Sequence, residues 1–202
     1  MDLIHELTEY FRKFPGIGPK QAQRFVYHLL KQDTYTLQKI SGAIAGIKKN
    51  VRTCAGCFRF FMVRQDEKKC SICSSKNRSH TTLMIVANDS DVESMERSAA
   101  FDGQYFVLGG LVPILNKNPE EKVRLNELRK LVEASPDVRE IIIAVNANPE
   151  GEHTLNIVRA KIADVAEKNG AKITTLGRGL STGAEIEYTD SETIKNALRN
   201  RF

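Results

Sequence analysis

The chain has 202 residues, 41% hydrophobic and 27% charged, with a formal net charge of +5 and four cysteines. That apolar content supplies real cores and excludes a disordered tail protein, and the longest aliphatic run, Ile141 to Val145, is far too short to span a bilayer. The start, Met1 to Glu6, lacks the basic and apolar stretches of a signal peptide, so the expected location is the cytoplasm, where cysteines are better read as metal ligands or free thiols than as disulfides. The charge is uneven: residues 1–80 carry 15 Lys/Arg against 6 Asp/Glu, and residues 81–202 carry 15 against 19. A basic first part beside a mildly acidic second one suggests that a polyanion is held by the first eighty residues.

Leu3, Ile4, Leu7, Tyr10, Phe11 and Phe14 recur at helical spacing and predict an amphipathic helix over 2–13. Pro15-Gly16-Ile17-Gly18-Pro19 interrupts it with a tight turn, and Pro19 suits the first position of a second helix, expected to bury Ala22, Phe25, Val26 and Leu29 and to run to about Lys31. A third helix is expected from Tyr35 to about Asn50. Helix, turn and helix with early cations suit a phosphate. Gly16 and Gly18 allow positive φ and leave backbone N–H groups uncovered, and the second helix adds its positive dipole end. Lys20 and Arg24, four apart, share one face and flank the same phosphodiester strand. Nothing here reads bases, so binding should be indifferent to sequence.

Residues 52–80 change character. Cys54-x2-Cys57 and Cys70-x2-Cys73 are two knuckles twelve residues apart, a spacing that places four thiolates around one zinc ion. All four cysteines are used and no open coordination position is evident, so one structural zinc per chain is expected, on which the segment depends to fold. Phe58, Phe60 and Phe61 add apolar mass, and Arg52, Arg59, Arg64, Lys68 and Lys69 make it basic.

From residue 83 onward, strands are expected at 83–87, 105–108, 140–145 and 172–176, with helices between them at about 91–99, 124–134 and 152–169, which implies a mostly parallel sheet covered by helices. Ser90-x-x-Glu93 reads as a capping box, and Glu150 with Glu152 suits the positive end of the next helix. His5, His28, His80 and His153 are scattered, none beside a nucleophile in sequence.

The first segment resembles the helix-hairpin-helix motif of DNA repair and recombination proteins, and the α/β half resembles a Toprim domain. Catalytic Toprim members hold Mg²⁺ with a Glu after the first strand and an Asp-x-Asp before a Gly. The matching places here are Ala87, Asn146 and Asn148, followed by Pro149-Glu150-Gly151-Glu152. An amide is a poor ligand for a hard cation and alanine is none, which argues against the rival reading, a metal-dependent nuclease or topoisomerase-like enzyme. Asp89, Asp91, Asn146, Glu150 and Glu152 remain as a candidate partner surface or weaker cation site.

The order of parts resembles the RecR family of bacterial recombination mediators over essentially the whole chain. The carriers are Phe14 to Arg24, the cysteine tetrad, Tyr105-Phe-Val-Leu-Gly-Gly110 with Pro113, Asn146 with Glu150-Gly151-Glu152, and Arg178 to Tyr188. The resemblance implies a multi-domain α+β fold: a helix-hairpin-helix domain at 1–51, a four-cysteine zinc module at 52–80, a Toprim-like α/β domain at 81–177 and a C-terminal assembly segment at 178–202. It implies a non-enzymatic protein that binds DNA, double- and single-stranded, and self-associates as a homotetramer or dimer. A ring-like clamp that loads RecA together with RecO and RecF is the implied role. Family DNA contacts carry over to Lys20 and Arg24, and subunit contacts to the N-terminal helices and the segment from Arg178 to Phe202. The family usually has a Glu at Ala87, a site tied to RecO as well as to metal, and Pro at Ser181.

Overall fold

Asp2 opens the chain's first helix by accepting the Ile4 N–H at 3.1 Å, so α1 spans Leu3–Arg12. In the computed structural model, which describes residues 2–115 and 118–201, α1 is followed by α2 (Pro19–Leu29) and α3 (Thr34–Asn50). Asp33 caps α3 through the Thr36 N–H at 2.9 Å and hydroxyl at 2.7 Å, bonds that hold its carboxyl below the ordinary carboxylate range. Met1 and Phe202, the outer limits of the expected first and last segments, lie outside the described residues.

The first compact unit, Met1–Arg52, is these three helices. Phe11 packs edge-on against Phe25 at 5.6 Å between centroids, yet among the described residues of the unit only Ala22 and Val26 are buried. Phe25 and Leu29, expected in the core, are 37% exposed and half-buried: three short helices enclose too little volume to cover them.

The second unit, Thr53–Phe202, begins in β1 (Val51–Thr53), which pairs with β2 (Phe60–Met62). A single helical turn of four residues, α4 (Ser71–Ser74), carries the second cysteine knuckle. The four-stranded sheet has the order β4-β3-β5-β6, all parallel: β3 is Thr82–Val86, β4 Gln104–Val107, β5 Glu140–Ala144 and β6 Lys172–Thr175. In register, Met84 faces Tyr105 on one side and Ile142 on the other. The connecting helices are α5 (Asp89–Ser98), α6 (Leu125–Glu133) and α7 (Pro149–Lys168).

After their first residues, Thr82 and Glu140, the inner strands are apolar because both faces are covered. Leu83, Ile85, Ile141 and Ile143 join Leu125, Leu128 and Val132 of α6 and Val158 and Ile162 of α7 in one core. Met84, Val86, Tyr105 and Val107, on the opposite face by the two-residue period, pack with Val92 of α5 and with Cys54, Cys57, Cys70 and Ile72. The cysteine segment is therefore a lid on the second face of the sheet, and Val107 donates its N–H to the Cys57 carbonyl at 2.8 Å.

Helix α5 starts earlier than expected. Asn88, not Ser90, is its N-cap, and Asp91 reaches back to accept the Asn88 N–H at 2.8 Å, so the expected Ser90–Glu93 box is replaced by a pair two residues upstream. At the C-terminal end, Asp190 caps α8 (Ser191–Arg199), of which no residue is buried. No described helix is long and apolar enough to cross a membrane.

Candidate nucleic-acid interface and metal centre

The turn between α1 and α2 is closed by Ile17 donating to the Phe14 carbonyl at 3.2 Å, and Gly16 sits at φ +75°, where a side chain would be strained. Gly18 departs from expectation: at φ −82° and ψ 169° it is the extended N-cap of α2. Its value is the missing side chain. A Cβ at Gly18 would meet nothing within 4 Å, so packing inside the chain does not demand glycine, and no cap covers the helix start. The first intrahelical bond is Ala22 N–H to the Gly18 carbonyl at 3.0 Å, which leaves the amides of Lys20 and Gln21 without helical partners. Lys20 and Arg24 stand beside them, exposed and, among the described residues, without an ion pair. Two unused N–H groups, a positive dipole end and two free cations stand at the start of one helix, an arrangement whose chemistry suits a phosphate oxygen.

The four cysteine sulfurs all lie within 4.8 Å of one another, with Cys57 and Cys70 Sγ 3.6 Å apart. A tetrahedral zinc with sulfur at about 2.3 Å separates its ligands by about 3.8 Å, so the donor set fits the ion. Cys54 Sγ accepts the N–H of Gly56 at 3.4 Å and of Cys70 at 3.2 Å, bonds that favour a thiolate. Gly56 eases that close approach, since a Cβ there would lie 3.2 Å from Cys73 Sγ and crowd it by a few tenths of an ångström. Without a cation the sulfurs must share protons: their mutual contact pulls Cys54 below the ordinary thiol range and pushes Cys57 above it. A divalent ion removes that conflict.

The carboxyl ends of β3 and β5 lie side by side, as in a Toprim cleft, but the oxygen ligands are missing or engaged. Ala87 is fully buried. Asp89 accepts the Phe60 N–H at 2.6 Å, Asp91 holds the start of α5, and Glu152 pairs with Arg178. Asn148, in the second aspartate place, is the N-cap of α7 and accepts the Gly151 N–H at 2.8 Å. Asn146 and Glu150 are exposed. Among the described residues the cysteine tetrad is the only group of three or more His, Cys, Asp or Glu at metal-ligating distances. The donor set does not fit Mg²⁺: among the described residues Asp89, Asp91, Asn146, Glu150 and Glu152 form no cluster at metal-ligating distances, and Asp89, Asp91 and Glu152 already satisfy backbone or guanidinium groups.

Several anchoring residues carry no local sequence signal. Thr154, fully buried, accepts the Val112 N–H at 2.9 Å and donates to the Glu150 carbonyl at 2.7 Å, fastening the loop after β4 to α7. Arg124 lies over the Phe58 ring at 5.7 Å and donates to the Val107 carbonyl. Arg178 joins Glu152 to the C-terminal segment, its carbonyl accepting the Asn200 amide at 2.6 Å.

Comparison with known proteins places these parts in order. The family model described as RecR, helix-hairpin-helix matches residues 4–47, the Toprim domain model matches 81–177, and the model described as RecR, C-terminal matches 179–201. Among curated relatives, proteins called Recombination protein RecR from Carboxydothermus hydrogenoformans, Mycobacterium tuberculosis and Lactobacillus acidophilus are 37%, 33% and 32% identical to this chain. Each alignment covers 98% of this chain, and 95%, 96% and 96% of the respective relative.

Proposed function

Because the chain belongs to the RecR family, we propose that it is a recombination mediator in DNA repair, one that binds DNA without regard to sequence and catalyses no reaction. The observation that carries this reading is the uncapped start of α2, where Gly16 and Gly18 leave the amides of Lys20 and Gln21 open beside Lys20 and Arg24. A phosphodiester oxygen fits there, and no side chain in the turn discriminates bases.

In this reading residues 1–51 hold DNA, 52–80 form a zinc-braced module, 81–177 present partner surfaces and 178–202 serve assembly. The metal is one structural zinc per chain, held by Cys54, Cys57, Cys70 and Cys73; its four-sulfur donor set supports zinc over oxygen-seeking cations. The ion supplies cross-linking: Cys57, through its carbonyl, ties the knuckle to β4, and Gly56 lets the sulfurs close. The absence of a carboxylate at Ala87 and the capping role of Asn148 support a scaffold rather than a phosphoryl-transfer enzyme.

RecO and RecF are the proposed protein partners, in loading RecA, and the assembly is a homotetramer or dimer around DNA. Self-association is supported by the apolar side chains that the first unit leaves uncovered, including Leu3, Tyr35 and Ile44 at 63–65% exposure. Several subunits on one duplex multiply weak phosphate contacts through effective concentration. The test is duplex binding by the Lys20→Glu/Arg24→Glu variant at several salt concentrations, beside light scattering of both proteins. Retained affinity in a normally assembled variant overturns the assignment of this surface.

A further inference from the structure

Strand β2 is too short to need two exposed apolar residues, yet Phe60 and Met62 point outward on the same face, 56% and 70% exposed. Phe61 between them turns inward against the core beneath the cysteine cluster. The outward pair is held in place, because the Phe60 N–H donates to Asp89 Oδ1 at 2.6 Å and so fixes β2 to the start of α5. Beside it runs a groove of about 460 Å³ whose lining includes Arg59, Arg64 and Lys69, with Glu67 its one acidic member. Arg64 and Lys69 are exposed, and no described residue pairs with them. The Arg59 Nε–H is buried without an acceptor, a donor that costs free energy until an oxygen reaches it.

An aromatic ring and a thioether laid open beside three cations match the two chemistries of a nucleic acid single strand. Base faces stack on the apolar surface, and the phosphodiesters between them lie against the cations. A duplex keeps its base faces stacked on one another and uses only the cations. A purely acidic chain such as polyglutamate likewise leaves the ring without a partner. We propose that this groove beside the cysteine cluster binds a short segment of single-stranded DNA, with one or two bases on Phe60 and Met62 and the flanking phosphates on Arg59, Arg64 and Lys69. The proposal rests on the DNA-binding reading above but assigns a surface separate from the α1–α2 turn.

The chain contains no tryptophan, so a Phe60→Trp variant of the full zinc-loaded protein reports on this position alone. Oligothymidylate should quench its fluorescence, whereas a duplex of equal length, inorganic phosphate and polyglutamate should not. A Phe60→Ala/Met62→Ala variant with unchanged zinc content and melting should bind labelled oligothymidylate at least about fivefold more weakly, the low end for losing a stacked base, and bind duplex within twofold of the parent. Oligothymidylate binding without quenching, equal quenching by polyglutamate, or equal loss for duplex and single strand overturns the proposal. If Lys20→Glu/Arg24→Glu alone abolishes binding of both DNA forms and the groove variant binds normally, the groove assignment falls and the DNA-binding reading stands. If the parent protein retains neither form at low salt, both fall.

Discussion

Replacing Gly151 by alanine should unseat α7, although the same change in an ordinary helix interior gains up to about 1 kcal/mol. Gly151 is buried in the first turn, and an added Cβ would fall inside the envelope of the Asn146 carbonyl oxygen, with the carbonyl carbon at 2.8 Å and Asn148 Oδ1 at 3.1 Å. Backbone cannot rotate aside as a side chain does, so either the β5–α7 loop or the helix start must withdraw. Withdrawal breaks the N-cap bond from Gly151 N–H to Asn148 Oδ1, worth about 1 kcal/mol. It also pulls on Thr154, whose displacement leaves the Val112 N–H without its buried acceptor, at a cost of about 1–3 kcal/mol. After the propensity gain, a net loss of about 1–3 kcal/mol remains, which for a protein of this size lowers the melting temperature by roughly 2–12 °C. Circular-dichroism melts and urea titrations read it, with Asn148→Ala, which loses only the cap, as the milder control at about 1 kcal/mol. A Gly151→Ala protein that melts at or above the parent would refute the steric argument.

The Lys20→Glu/Arg24→Glu variant should lower the slope of log affinity against log salt by about 2 in duplex titrations by fluorescence anisotropy, since two phosphate contacts are lost; an unchanged slope places the contacts elsewhere. Elemental analysis should find one zinc per chain, and Cys57→Ser or chelation should expose residues 54–73 to proteolysis and loosen β4, because the Cys57 carbonyl holds the Val107 N–H; intact protection after metal loss contradicts a structural ion. Arg178→Ala should speed hydrogen exchange in residues 179–201 while costing under about 1 kcal/mol of global stability, as both partners of its ion pair are partly exposed; unchanged exchange would show that the pair does not tether the segment.

Element order and type were legible for the first three helices and the sheet domain, but not for β1, β2, α4 or α8; in the sheet the core demands them, since inner strands covered on both faces must be apolar, and the twofold alternation of Leu83 and Ile85 against Met84 and Val86 divides them between two cores. The cysteine cluster was legible for a similar reason, since its spacing is itself the geometry. Roles set by distant neighbours were not. Asp89 read as a helix-start residue or a ligand, and its bond is to Phe60, 29 residues away. Gly18 read as a positive-φ glycine, and its conformation is one any residue adopts. Gly151 read as part of a motif, and what requires it is the carbonyl of Asn146 lying where a side chain would go. Periodicity reports on faces; it does not report which atom occupies the space opposite.

Among its described residues the first unit buries two side chains, those of Ala22 and Val26. Apolar burial is the main term opposing chain entropy, so helices that bury so little by themselves hold their shape only weakly. Their folded fraction then depends on whatever covers Leu3, Tyr35, Ile44 and their neighbours. If that cover is another copy, folding and association become one equilibrium, and the midpoint of unfolding of these helices rises with protein concentration. Dilution would then act as a denaturant on these three helices while the parallel sheet, which carries its own two cores, is indifferent to it.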